Sequence, residues 1–147
     1  MYQRRKLFDA VDNCFRLHVG GPKFFDAVDS FVKSNIKDFR LWVEGIERRF
    51  PSYPIVLSGE FGYMIGQEKR GRIILPGGLR YTKTSMRRHL RTPFVFVDDS
   101  LHSGKTLRAI QEITNSKAHK VIVVYDGSKM KNVEAMFHYY GGHRGQR

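Results

Sequence analysis

Apolar residues recur at helical spacing through the first third of the chain: Leu7, Phe8, Val11 and Phe15, then Phe24, Val28, Phe31, Val32, Ile36, Phe39, Trp42, Val43 and Ile46. Residues three and four apart share a helix face, so the pattern predicts amphipathic helices between Lys6 and Phe50. HVGGP at 18–22 divides them into two, because Gly20 and Gly21 can end one helix and Pro22 can begin the next. KLFDAVDN (6–13) and KFFDAVDS (23–30) nearly repeat each other, which reads as two similar helix starts rather than a solenoid. The pairs Asp9/Asp12 and Asp26/Asp29 read as solvated carboxylates complementing helix dipoles, with a metal site on one helix face as the alternative.

Beyond Pro51 the pattern changes. PIVLSG (54–59), RIILPG (72–77), FVFVDD (94–99) and KVIVVYDG (120–127) are short apolar or β-branched runs that end in Gly or Asp. Continuous rather than alternating apolar runs indicate strands covered on both faces. EFGYMIGQEK and KTLRAIQEITNS, which lie between them, read as helices. Strand, helix, strand, long basic loop, strand, helix, strand is the order of an α/β domain, a mostly parallel sheet of about four to five strands with flanking helices. The expected organisation is a helical N-terminal region over 1–50, an α/β core over 51–138 and a basic tail over 139–147.

Composition supports one folded domain: 147 residues, 41% hydrophobic and 13% aromatic, suffice for a real core. Twenty-six Lys and Arg against fourteen Asp and Glu give a formal charge of +12, which favours anionic partners such as nucleotides, sugar phosphates or nucleic acid. Cys14 is the only cysteine, so an intrachain disulfide is excluded and a reducing, cytoplasmic setting is expected. MYQRRKLFDAVDN lacks the apolar core of a signal peptide, and no apolar run approaches a membrane span, so no membrane association is expected.

Candidate chemistry concentrates in FVFVDDSLHSGKT, residues 94–106. Asp98 and Asp99 stand at the mouth of a buried strand, where ligands of α/β sheets bind. Ser100 to Gly104 then read as a tight loop whose amides, with the start of the helix near Lys105, form an anion site to which the Ser103 and Thr106 hydroxyls can add donors. A P-loop would need glycine where Asp99 stands, and two carboxylates there would repel a triphosphate. A ribose 5-phosphate fits better: carboxylates for the 2′ and 3′ hydroxyls, the loop for the phosphate. The bland alternative is that the aspartates only end a strand and cap a turn.

This stretch resembles the phosphoribosyl pyrophosphate (PRPP) motif of type I phosphoribosyltransferases: an apolar strand, two acids, a short variable loop, then [ST]Gx[ST]. The resemblance covers roughly residues 54–127 and implies a phosphoribosyltransferase-like fold. It further implies transfer of ribose 5-phosphate from PRPP to a nucleobase or related nitrogen acceptor, with release of pyrophosphate. Asp98 and Asp99 would bind the ribose hydroxyls and, with Mg²⁺, form the metal site. Ser100, Leu101, Ser103, Gly104, Lys105 and Thr106 would form the 5-phosphate loop. His102 occupies a position near the base in purine-specific relatives, where it could exchange a proton with a nucleobase or stand as an exposed loop residue.

The same resemblance places a pyrophosphate loop at Ser58, Gly59, Glu60, Phe61 and Gly62, and a flexible loop over 77–93. Between Lys69 and Val97 there are eight Lys and Arg and no acid. Arg80, Tyr81, Lys83, Arg87 and Arg88 are the flexible-loop candidates, closing over pyrophosphate or serving as a solvated or nucleic-acid-contacting arm. Residues 1–50 would supply the hood that selects the base, and dimers are frequent among such enzymes. Glu60 departs from the basic or small residue common at its position. That departure, with the +12 charge, motivates the alternative of a non-catalytic nucleotide- or nucleic-acid-binding regulator on the same fold.

Overall fold

The computed structural model describes residues 3–65, 72–74 and 93–139. Helices α1 (Arg4–His18), α2 (Phe24–Ser34) and α3 (Ile36–Arg49) come first. They lead into β1 (Ile55–Leu57), α4 (Gly59–Ile65), β2 (Arg72–Ile74), β3 (Phe94–Leu101), α5 (Lys105–Thr114), β4 (Ala118–Asp126) and β5 (Val133–His138). The strands form one parallel sheet in the order β2-β1-β3-β4-β5, so the chain has an α/β fold.

The apolar spacing predicts two N-terminal helices, and the structure has three. The first ends where expected, with the Val19 amide donating to Phe15 and Gly20 turning the chain at φ 84°. The second is broken at Asn35 (φ −131°, ψ 30°), whose side-chain amide donates to the Phe31 carbonyl at 2.8 Å while its own carbonyl accepts from Phe39. Asparagine competes for backbone partners in this way, and the apolar period runs on across the break, hiding it from the sequence. Asp12 pairs with Arg16 at 2.8 Å and Asp29 with Lys33 at 2.9 Å, each one helical turn away.

Strand side chains alternate between two cores. Ile55, Leu57, Val95, Val97, Ile122 and Val124 pack with the apolar faces of α1 to α4, among them Val11, Phe15, Val28, Phe39, Val43 and Phe61. Val56, Phe94, Phe96, Val121 and Val123 pack with Leu107 and Ile110 of α5 on the opposite face. Burial on both faces is why these strands are continuously apolar. Residues 1–50 therefore form one layer of the same core as the sheet.

The last strand, β5, is absent from the expected set of runs. Val133 pairs with Val121 and His138 with Asp126, so residues 127–132 must run back about 17 Å beside β4 without a helix. Six extended residues reach that far, although parallel crossovers usually take a dozen or more. Met130 in this return packs onto the α5-side core. VEAMFH is also only partly buried, and its Glu134 forms a two-pronged ion pair with Arg49 of α3 at 2.6 and 2.8 Å. The charge and the short spacer together mask the strand.

No helix among the described residues is long and apolar enough to cross a membrane. The basic loop carrying Arg80, Tyr81, Lys83, Arg87 and Arg88, and the tail from Tyr140 onward, lie outside the described residues.

Candidate functional site

From β1 the chain moves outward to β2, and from β3 it moves the other way to β4. The carboxyl ends of β1 and β3 thus flank a topological switch point, the position where open α/β sheets bind ligands. Ser58 leaves β1 there, and its amide donates to the Val97 carbonyl at 3.0 Å, which brings it beside the residue preceding Asp98. The Ser58 side chain is buried and hydrogen-bonds the Asp98 carboxyl.

Asp98 pairs in register with Val123 of β4. Its Oδ1 accepts from the Asp99 amide at 2.7 Å, and Asp99 Oδ1 accepts from the Ser100 hydroxyl at 3.3 Å. Although the residue as a whole is only half-buried, desolvation of its carboxyl pushes Asp98 well above the usual carboxylate range, and the neighbouring Asp99 pushes it further. The bonds from the Asp99 amide and Ser58 pull the other way without prevailing. Such a pair gains from any ligand that brings hydroxyl donors or positive charge.

The strand extends further than its apolar run predicts. Ser100 pairs with Tyr125 and Leu101 with Asp126, and the Gly127 amide donates to Leu101 at 2.9 Å. Leu101 is buried in the α5-side core, so the loop shrinks to His102, Ser103 and Gly104. Ser100 and Leu101 are strand residues because β4 continues to supply hydrogen-bonding partners past the aspartates.

Gly104 makes the sharp entry into α5. Its φ of 74° is left-handed, and a Cβ there would come within 2.8 Å of Met130 Sδ and 3.3 Å of Arg108 Nη1. Ser103 Oγ accepts from the Lys105 amide at 3.3 Å, and the Arg108 guanidinium donates to the Ser103 carbonyl at 2.6 Å. Ser103, Lys105 and Thr106 are exposed, and the first turn of α5 carries no acid. The opening amides of a helix have no intrahelical acceptors and sit at its positive end, so this corner suits an anion.

The residues expected to form a pyrophosphate loop are largely the first turn of α4. Gly59 adopts φ 63° directly after Ser58. Phe61 is buried, edge-on to Phe39 and Trp42 at 6.1 and 6.3 Å. A Cβ on Gly62 would come within 2.8 Å of the Leu57 carbonyl oxygen, so this glycine allows the helix to pack against the strand it follows. Of the other three, Ser58 is buried, Gly59 partly exposed and Glu60 exposed. Glu60 is near enough to Lys33 to add, after the larger effects of Asp29, to the upward shift of that amine.

Sequence reasoning missed a second polar cluster, at the end of β4. Asp126 is fully buried, and its Oδ1 accepts from the Ser128 amide at 2.9 Å and hydroxyl at 2.6 Å, while Oδ2 lies 3.1 Å from His138 Nδ1. The signal was present in YDGS, a buried strand ending in Asp with Gly and Ser behind it. Tyr125 beside it is pushed up to about 12, first by burial and then by Asp126 and Tyr139, and its hydroxyl stays protonated. This cluster shapes the return loop that presents Met130 to Gly104.

Two adjacent carboxylates offer hard oxygen donors that suit a divalent cation shared with ligand phosphates rather than caged by protein. Among the described residues no group of three or more His, Cys, Asp or Glu is placed to hold a metal by itself, so Asp98 and Asp99 could supply only part of a cation's ligands, and a cation there would offset the desolvation and the repulsion from Asp99 that hold Asp98 up. Comparison with protein-family models finds none that matches the chain, and comparisons with characterised proteins and with solved structures find no significant match.

Proposed function

We propose that the protein is a phosphoribosyltransferase-like enzyme that binds PRPP and transfers its ribose 5-phosphate to a nitrogen acceptor such as a nucleobase. The observation that carries this reading is one juxtaposition at the switch point. Asp98 and Asp99 stand a few residues from a left-handed glycine opening a helix whose first turn lacks acids. The aspartates accept hydrogen bonds from the ribose hydroxyls, and residues 103–106 hold the 5-phosphate. Ser58 and Gly59 follow β1 at the neighbouring strand end, where the resemblance puts the pyrophosphate.

In the reaction the acceptor nitrogen attacks the anomeric carbon. The C–N bond forms as the C–O bond to pyrophosphate breaks, and pyrophosphate leaves with the electron pair. The nitrogen's proton passes to His102 or water. Bound Mg²⁺ supplies positive charge to the leaving group. Everything else is positioning and electrostatic stabilisation by the chain, with no covalent nucleophile.

Calorimetric titration with PRPP and Mg²⁺ tests the reading. The wild-type protein is expected to show saturable, Mg²⁺-dependent binding that is lost in the Asp98→Asn, Asp99→Asn double variant. Because the pair must ionise to hold cation and hydroxyls, affinity should rise with pH through the elevated Asp98 value. Undiminished binding in the double variant would dispose of the proposal. A second reading, a non-catalytic regulator binding nucleotide or nucleic acid on the same scaffold, draws on Glu60 in the first turn of α4 and the +12 charge.

A further inference from the structure

Gly104 holds a left-handed φ of 74°, a conformation that glycine permits but does not enforce. Glycine moves between positive and negative φ at little cost, so a fixed anion corner needs a neighbour that holds this residue from outside. Two side chains fill the space where a Cβ would stand: Met130 Sδ and Arg108 Nη1, at 2.8 and 3.3 Å from that position. Arg108 is exposed, whereas Met130 is partly buried and packs onto the α5-side core. Met130 is the firmer of the two.

Its placement traces back to the Asp126 cluster. Residues 127–132 join parallel neighbours directly, so the return has little slack and its first turn decides where Met130 falls. The Met130 amide donates to Ser128 Oγ at 3.2 Å, and the Ser128 hydroxyl donates in turn to Asp126 Oδ1 at 2.6 Å. Asp126 is fully buried, which is costly for a carboxylate, and an exposed turn would need no such group. We propose that Met130 is a positioning residue for the 5-phosphate: held by Asp126 through Ser128, it wedges against Gly104 and keeps the first amides of α5 aimed at the anion. This rests on the phosphoribosyl-transfer reading and adds to it a residue that acts through another. Amides already aimed at the phosphate lose little freedom on binding, so the wedge acts on affinity.

PRPP with Mg²⁺ is titrated calorimetrically into wild type, Met130→Ala, Met130→Leu, Ser128→Ala and the Met130→Ala, Ser128→Ala double variant, with thermal melts to establish that each is folded. Met130→Ala is expected to weaken PRPP about fivefold or more, and Met130→Leu, which refills the space, by less than about twofold. Ser128→Ala should weaken it as well, and the double variant should stay within about twofold of Met130→Ala, because both changes act on the same contact. Met130→Val, too short to reach Gly104, repeats the alanine test if that variant does not fold. Undiminished affinity in Met130→Ala or Met130→Val, or an equal loss in Met130→Leu, overturns the inference while PRPP binding stands. Losses that multiply in the double variant overturn the link through Ser128. Absence of PRPP binding in wild type itself would instead bring down the reading beneath it.

Discussion

Asp98 shows how a buried carboxyl works against the stability of its own fold. A carboxyl whose pKa rises on folding opposes folding once it ionises. Its contribution is intact below the ordinary value of 3.8 and is lost as pH climbs through the elevated folded value. Asp98→Asn removes the charge while keeping an oxygen to accept from the Asp99 amide. The variant should therefore melt higher than wild type at pH 7, by about 2–4 °C for each kcal/mol of relieved desolvation and repulsion. The difference should close as pH falls below about 3, where the wild-type carboxyl is protonated in both states. Thermal melts across that pH range check this, and an equal or lower melting temperature at pH 7 would contradict the burial argument. The adjacent acids were plain in the sequence. What the sequence did not carry is the desolvation, which comes from burial of the carboxyl in the folded chain.

At the scale of elements, β5 depends on contacts far away in the chain. Arg49 at the end of α3 grips Glu134, and this holds the Glu134 carboxyl below its usual range, with Lys120 and Arg4 adding smaller pulls. A depressed carboxyl contributes stability above its unfolded value and loses it as pH falls through the folded one. Both side chains are partly exposed, at 46% and 29%, so solvent screens the pair. Glu134→Gln should cost about 0.5–1 kcal/mol at pH 7 and almost nothing near pH 3, as read from denaturant midpoints. A constant penalty at both pH values would mean that packing rather than charge ties α3 to β5. This edge was illegible in advance because neither a 3.5-residue helical rhythm nor a long apolar run marks it. The break at Asn35 was hidden for the opposite reason, since the helical rhythm there continues unbroken.

For the whole molecule, charge separates the two functional readings. A +12 chain attracts polyanions at any basic surface, and such binding weakens as a power of salt concentration. Single-stranded RNA affinity should therefore fall by about a hundredfold or more between roughly 50 and 200 mM salt. PRPP binding at one site with a few fixed contacts should fall by less than about tenfold over the same range. If PRPP affinity instead followed the steep slope, general electrostatics would account for both and the regulator reading would gain.

The sequence by itself determined what depends on neighbours along the chain. Continuous apolar runs required a doubly covered parallel sheet, the amphipathic rhythm required helices to cover it, and DDSLHSGKT placed two acids, a tight turn and a helix start in one short segment. The tertiary structure decided everything that depends on distant residues meeting. It set the length of β3 through its pairing with β4, turned Phe61 and Gly62 into packing positions, built the Asp126 cluster and brought Phe25 against His102. The reason is physical: local periodicity reports which face of an element is buried, whereas the identity of the partner on that face is fixed only by the packing of the whole core.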